Sequence, residues 1–183
     1  MGTAALALAM VSMAACGYPR SRPVLTDPRA ADVRSVIVRV VDASRHGLAT
    51  PHQGAIATLA RVASGRQFAA VSAVDAFSSA AEAALRTRGI RVEFGDGGTA
   101  VLRIEIHEFE VHPDDAAQAV ACAFVSATYA LAAADGVPLW KVEQHRMPFP
   151  FAGPDLTDSE LARIADQAVD AGLASLPTSR RHP

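Results

Sequence analysis

Three groups of residues have the types and spacing to do chemistry. Cys16 follows the small residues Ala14 and Ala15 at the end of an apolar stretch, where an accessible thiol can take an acyl group. The run His107-Glu108-Phe109-Glu110-Val111-His112 would, on a strand, project Glu108, Glu110 and His112 to one face, a geometrically conceivable set of metal ligands. Ser44, His46 and His52, with any Asp, can be drawn as a nucleophilic triad.

The last two groups are weak on spacing. The zincin pattern needs two histidines four apart on a helix, whereas His107 and His112 are five apart on an expected strand and point to opposite sides. A solvent-facing polar edge is the commoner use of such residues. A triad needs spatial convergence and an oxyanion hole, which spacing alone does not supply. The chain has no G-x-S-x-G elbow, C-x-x-C pair or S-x-x-K motif, and Gly95 to Gly98 lacks the Lys and Ser/Thr of a phosphate-binding loop. The expectation is therefore no catalytic residue, no cofactor and no metal site, hence not an enzyme. The alternative is a periplasmic hydrolase or metal-binding protein using the His107–His112 region.

The first group is sharper. Ala4 to Ala15 is uncharged and too short to span a bilayer, but it suits the apolar core of a secretory signal. Met13-Ala14-Ala15-Cys16-Gly17 resembles the lipobox of bacterial lipoproteins, with Met13 where Leu is usual. That resemblance implies cleavage before Cys16 and lipid on its thiol and amine. Each buried methylene contributes about 0.8 kcal/mol, so two or three acyl chains on one residue give stable attachment. Gly17, in place of the Asp that marks inner-membrane retention in such lipoproteins, implies an outer-membrane, periplasm-facing location.

This gives a domain scheme: signal peptide 1–15, lipidated Cys16 with an extended linker to residue 32, one domain over 33–177, and a disordered tail at 178–183. Pro19, Pro23 and Pro28 favour an extended linker, which at about 3.1 Å per residue could hold the domain up to roughly 50 Å from the membrane. With sixteen Arg and one Lys scattered along a chain of net charge −2, nothing marks a nucleic-acid footprint. Half the residues are apolar and the mean hydropathy is +0.18, enough for one proper core. With Cys16 acylated, Cys122 has no cysteine partner, and Ala121-Cys122-Ala123-Phe124 is a setting typical of a buried, inert thiol.

The positioning elements follow from periodicity. Val33 to Val41 predicts a largely buried strand. Asp42 to Gln53 predicts a loop, and 55–71 is open between helix and strand. Ala73 to Thr87 predicts an amphipathic helix stopped at Gly89. Ile90 to Phe94 and Ala100 to Val111 alternate on either side of a glycine-rich turn, which predicts a hairpin. Leu102, Ile104 and Ile106 share one face of the second strand while Phe109 and Val111 fall on the other, so a bulge is expected near His107 and Glu108.

The nineteen uncharged residues from Ala116 to Ala134 admit a transmembrane helix, but few are strongly favourable in lipid. A strand paired through Asp135-Gly136 with Val137 to Met147 is favoured. Met147-Pro148-Phe149-Pro150-Phe151 is either a docking surface or a connection whose aromatics close the core, and the second is preferred. Thr157-Asp158-Ser159-Glu160 has the form of a capping box before an apolar stripe from Leu161 to Leu176. The fold class is α+β: a mainly antiparallel sheet with two or three helices packed on one face.

Cys16, the strand Leu102 to Glu110, the pair Ala127 to Leu131 and Asp135 to Trp140, and the closing helix together resemble the ABC-type transport auxiliary lipoproteins. They are also similar to neighbouring uncharacterised outer-membrane lipoproteins. The likeness covers roughly residues 73–177, and the front half departs from it. It implies a non-catalytic subunit, anchored in the outer membrane and facing the periplasm, with an envelope protein as partner in a transport system. A structural envelope lipoprotein without a transport role is a further alternative.

Overall fold

The helix expected over residues 73–87 forms there, and both of its ends are chemically fixed. In the computed structural model, which describes residues 20–44, 72–95, 99–112, 120–152 and 156–177, this is α1 (Ala73–Thr87). Ser72 caps it, accepting from the Asp75 backbone N–H at 3.1 Å while its hydroxyl donates to the Asp75 carboxylate at 2.6 Å. At the far end Gly89 takes φ 75°, and the Ile90 and Gly89 N–H groups close back on the carbonyls of Leu85 and Arg86, both at 3.0 Å. That is a Schellman stop, with Ile90 buried beside it.

The second helix, α2 (Asp158–Leu173), starts at Thr157, whose hydroxyl accepts from the Glu160 N–H at 3.3 Å. The Glu160 carboxylate binds Arg163 instead of completing the box. Its stripe of Leu161, Ile164, Ala165, Ala168, Val169 and Leu173 is buried as the spacing predicts.

Among the described residues six strands make one sheet: β1 (Arg20–Thr26), β2 (Ser35–Asp42), β3 (Arg91–Val92), β4 (Ala100–His112), β5 (Val120–Ala132) and β6 (Pro138–Ala152). Their order is β1-β6-β5-β4-β2-β3. β5 and β6 form the expected hairpin, turning at Gly136 (φ 84°) with the Ala133 N–H on the Val137 carbonyl at 2.8 Å. No helix among the described residues is long and apolar enough to cross a membrane.

One expectation is refined and two are corrected. The sheet is mainly antiparallel but mixed: β2 pairs in parallel with β3 and β4, because the crossover through α1 separates β2 from both. β3 does not form a hairpin with β4. It pairs in parallel with β2, which inserts between them and takes the Arg91 and Glu93 N–H groups on the carbonyls of Arg34 and Val36. Residues 20–32, expected within an extended linker, are part of the fold: β1 pairs along β6, and a 3-10 turn spans Pro28–Asp32. Proline is tolerated there because β1 is an edge strand whose register shifts between Pro23 and Leu25, and Pro28 opens the turn that Asp27 caps. The signal peptide, Cys16 and the tail at 178–183 lie outside the described residues, as does 55–71.

Both helices lie on one face of the sheet. They cover Leu102, Ile104 and Ile106 of β4, Val125, Ala127 and Tyr129 of β5, and Trp140, Val142 and Gln144 of β6, all almost fully buried. Two buried polar bonds pin α2 to this face, and a third ties down the turn that follows it. The Tyr129 hydroxyl and the Gln144 amide both donate to the Ala168 carbonyl, at 3.1 and 3.0 Å, and the Trp140 Nε1–H donates to Ser175 Oγ at 3.3 Å. Burial pushes the Tyr129 hydroxyl well above the usual tyrosine range, so it stays a donor at any physiological pH.

The approach is close enough to fix one residue type. A Cβ on Gly172 would stand 2.6 Å from the buried Tyr129 ring, which has no flexible end to move aside. Gly172→Ala should therefore lower the unfolding free energy by about 1–3 kcal/mol, the usual cost of overpacking. Urea denaturation checks this, and an unchanged midpoint would mean that α2 can lift from the sheet without loss.

Candidate site on the open face of the sheet

The face away from the helices is built from the alternate residues of each strand, and those of β4 and β6 include paired charges. Along β4, Arg103 and Glu105 are paired at 2.7 Å, and along β6 Lys141 and Glu143 are paired at 2.7 Å. Lys141 holds the Glu143 carboxyl below the usual carboxylate range, first by its hydrogen bond and then by its charge, with His145 and Arg22 adding smaller attractions. Ion pairs this exposed stabilise little, but they keep the face soluble and ordered.

The pattern breaks at Ser126. On one side β4 bulges, so that Ile106 faces Ala127, Glu108 faces Ser126 and His107 is the extra residue, as expected from the phase of its apolar residues. On the other side β6 bulges as well, passing from Gln144 opposite Ala127 to Met147 opposite Val125. Within that second bulge Arg146 takes φ 43°, the left-handed region that a residue with a Cβ enters only against strain.

The strain is compensated by bonds that converge on Ser126, itself buried. The Arg146 backbone N–H donates to Ser126 Oγ at 3.0 Å, and that hydroxyl donates to Glu108 Oε2 at 2.6 Å. The Arg146 guanidinium reaches Glu108 Oε1 at 2.6 Å and Glu110 at 3.6 Å, and it lies 4.9 Å from the centroid of the Phe124 ring. Next to this set, His107 Nε2 and Thr128 Oγ1 are hydrogen-bonded at 2.8 Å.

The structure thus brings together Glu108 and Glu110, two members of the sequence-derived metal set, but around a guanidinium. An arginine between two carboxylates occupies the acceptor oxygens that a cation would need. Among the described residues no group of three His, Cys, Asp or Glu side chains is placed to hold a metal ion. The His112 side chain lies outside the described residues, as do His46 and His52. Ser44 donates to the Asp42 carboxylate at 2.6 Å.

Cys122 is corrected: it is half-buried on the open face, because the small and apolar Ala123 and Val125 take the inward positions of β5. Phe149 and Phe151, by contrast, are inward and buried, in strand β6 and not in a connection. Arg146 and Ser126 were missed in the sequence. The signal that locates the first bulge was present for the second too: Val142 and Gln144 are inward at even positions, Phe149 and Phe151 at odd ones.

The chain is similar to several solved structures, and it shares its fold with one of them. The PelC dodecamer from Paraburkholderia phytofirmans matches in two crystal forms. In space group C2 it is 18% identical, covers 89% of this chain and 100% of that chain, and has a TM-score of 0.55. In space group P6 the values are 16%, 89%, 100% and 0.53. A minor lipoprotein from Acinetobacter baumannii is 9% identical over 80% of this chain and 96% of that chain, with a TM-score of 0.44. No model of a known protein family matches the sequence. No curated protein matches it either.

Because one hydroxyl serves both bulges, Ser126→Ala should leave the Arg146 N–H without its acceptor and Glu108 Oε2 without the hydroxyl that donates to it. We expect a loss of about 1–3 kcal/mol in unfolding free energy. A chemical denaturation series measures it, and a change of only a few tenths would mean that the bulges stand without the serine.

Proposed function

We propose that this chain is a bacterial envelope lipoprotein, held at the outer membrane by acyl chains on Cys16, facing the periplasm, and acting as a non-catalytic accessory or assembly partner of an envelope transport system. The observation that carries this reading is Met13-Ala14-Ala15-Cys16-Gly17 at the end of a short uncharged run. The fold supports it as a body for binding, not for turnover. Among the described residues the strained, polar and aromatic cluster on the open face is spent on internal ion pairs, and its Arg146 and Phe124 are of types enriched at protein interfaces.

PelC, which shares the fold, is a dodecamer, and we read this chain as assembling with copies of itself in the same manner. A closed assembly of identical chains is built from symmetric contacts, made either by one self-complementary patch or by two different patches of one surface. The reading of His107–His112 as a metal or hydrolase centre is disfavoured by the engagement of Glu108 and Glu110 with Arg146.

The mass of the mature amino terminus tests the anchor, and an acylated Cys16 as first residue is expected. Cys16→Ser should move the protein from the membrane to the soluble fraction. Crosslinked envelopes should yield the wild-type protein with other envelope proteins and with copies of itself. Recovery of single copies alone, under conditions that capture known envelope complexes, would overturn the assembly role.

A further inference from the structure

We infer that the β1 edge of the sheet lies against the anionic phospholipid headgroups of the leaflet that holds Cys16; this rests on the lipoprotein reading above. The argument begins with chain length. Only three residues separate Cys16 from Arg20, the first residue of β1. A fully extended chain advances at most about 3.6 Å per residue, so Arg20 stands within about 14 Å of the acylated residue. The docked strand removes most of the reach expected of a free linker.

Charge then decides which surface turns to the membrane. From residue 17 to residue 26 the chain has two arginines and no Asp or Glu. Within β1 the described side chains from Ser21 to Thr26 are all exposed, including Arg22, Val24 (51% exposed) and Leu25 (38%). Val137, in the turn that leads into the neighbouring strand β6, adds a third exposed apolar side chain (37%). Basic and apolar residues side by side are what an anionic lipid surface attracts.

The two broad faces are different. On the open face the carboxylates of Glu105, Glu108, Glu110 and Glu143 are ion-paired with Arg103, Arg146 and Lys141, and the outer side of α2 exposes Asp158, Asp166 and Asp170. Among the described residues neither broad face exposes a large apolar side chain, and an anionic leaflet repels the α2 side, so the molecule stands on its edge. Strand order puts β3, followed by Phe94 (83% exposed), at the opposite edge. Five strand spacings of about 4.8 Å set the two edges about 24 Å apart. The leaflet then also covers the edge strand that would otherwise be open to chance pairing.

The test uses the full, acylated chain in a Cys122→Ser background, with a fluorophore on either Val24→Cys or Phe94→Cys. The protein is reconstituted in vesicles of phosphatidylethanolamine and phosphatidylglycerol that contain a headgroup nitroxide lipid. For a separation of about 24 Å we expect quenching at position 24 to exceed that at position 94 by at least about twofold. Arg22→Glu should shrink that difference in these vesicles and leave it intact in phosphatidylcholine. Equal quenching at the two positions, or stronger quenching at 94, on protein whose mass shows acylation at Cys16 overturns the edge-on placement and leaves the lipoprotein reading standing. An unmodified Cys16, with no quenching at either position, removes both.

Discussion

The seat of the Tyr129 ring beneath α2 is the contact on which the rest of the architecture depends. The ring fits only because Gly172 has no side chain, and its hydroxyl meets the Ala168 carbonyl one turn earlier, where the Gln144 amide also arrives. A helix that approaches a sheet this closely must present small residues, and Ala165, Ala168 and Gly172 provide them. The alanine-rich face of α1, with Ala76, Ala80 and Ala81 buried, follows the same logic. High alanine content is thus a packing solution: bulk comes from the sheet, as Trp140, Tyr129 and the aliphatic rows of β4, and the helices supply close-fitting backbone.

With one face committed to this fit, the open face must keep its polar residues ordered while the strands change phase. Both neighbours of β5 carry an extra residue at the level of Ser126. Two bulges at one level bend the three strands together, which returns Phe109 on β4 and Phe149 and Phe151 on β6 to the helical side. Without the second bulge, both phenylalanines of β6 would face water beside Arg146. The left-handed backbone of Arg146 is the conformational cost of keeping them inside, offset by its bonds to Ser126 and Glu108.

What the sequence made legible has a common physical origin, namely interactions closed within a few residues. Ser72 with Asp75, Gly89 with Arg86, and Thr157 with Glu160 are local, and the helices they bound were placed from spacing alone. The bulge at His107 was legible because it inverts the apolar phase inside one strand. The pairing of β3 with β2 was not, since nothing near Arg91 distinguishes a parallel neighbour far back in the chain from an antiparallel one just ahead. The Glu108–Arg146 cluster joins residues far apart in sequence, and its alternative use as a metal set had the same local appearance. β1 was hidden for another reason: Pro19, Pro23 and Pro28 favour extended backbone, and an extended tether and an edge strand differ only in whether a partner strand is present.

That last point changes what the molecule does with its amino terminus. A free linker would separate the anchor from the domain, so that the membrane would set location and nothing else. If Cys16 is acylated as proposed, a strand laid along β6 from Arg20 onward couples the two, because moving the domain away from the anchor means stripping β1 from its ladder with β6. On the proposed reading the acyl chains therefore fix the height and the tilt of the sheet together. Copies in one assembly then share a common orientation before they meet, which lowers the rotational entropy lost at each contact. On that reading the broad faces and the β3 edge are the surfaces left to take part in those contacts.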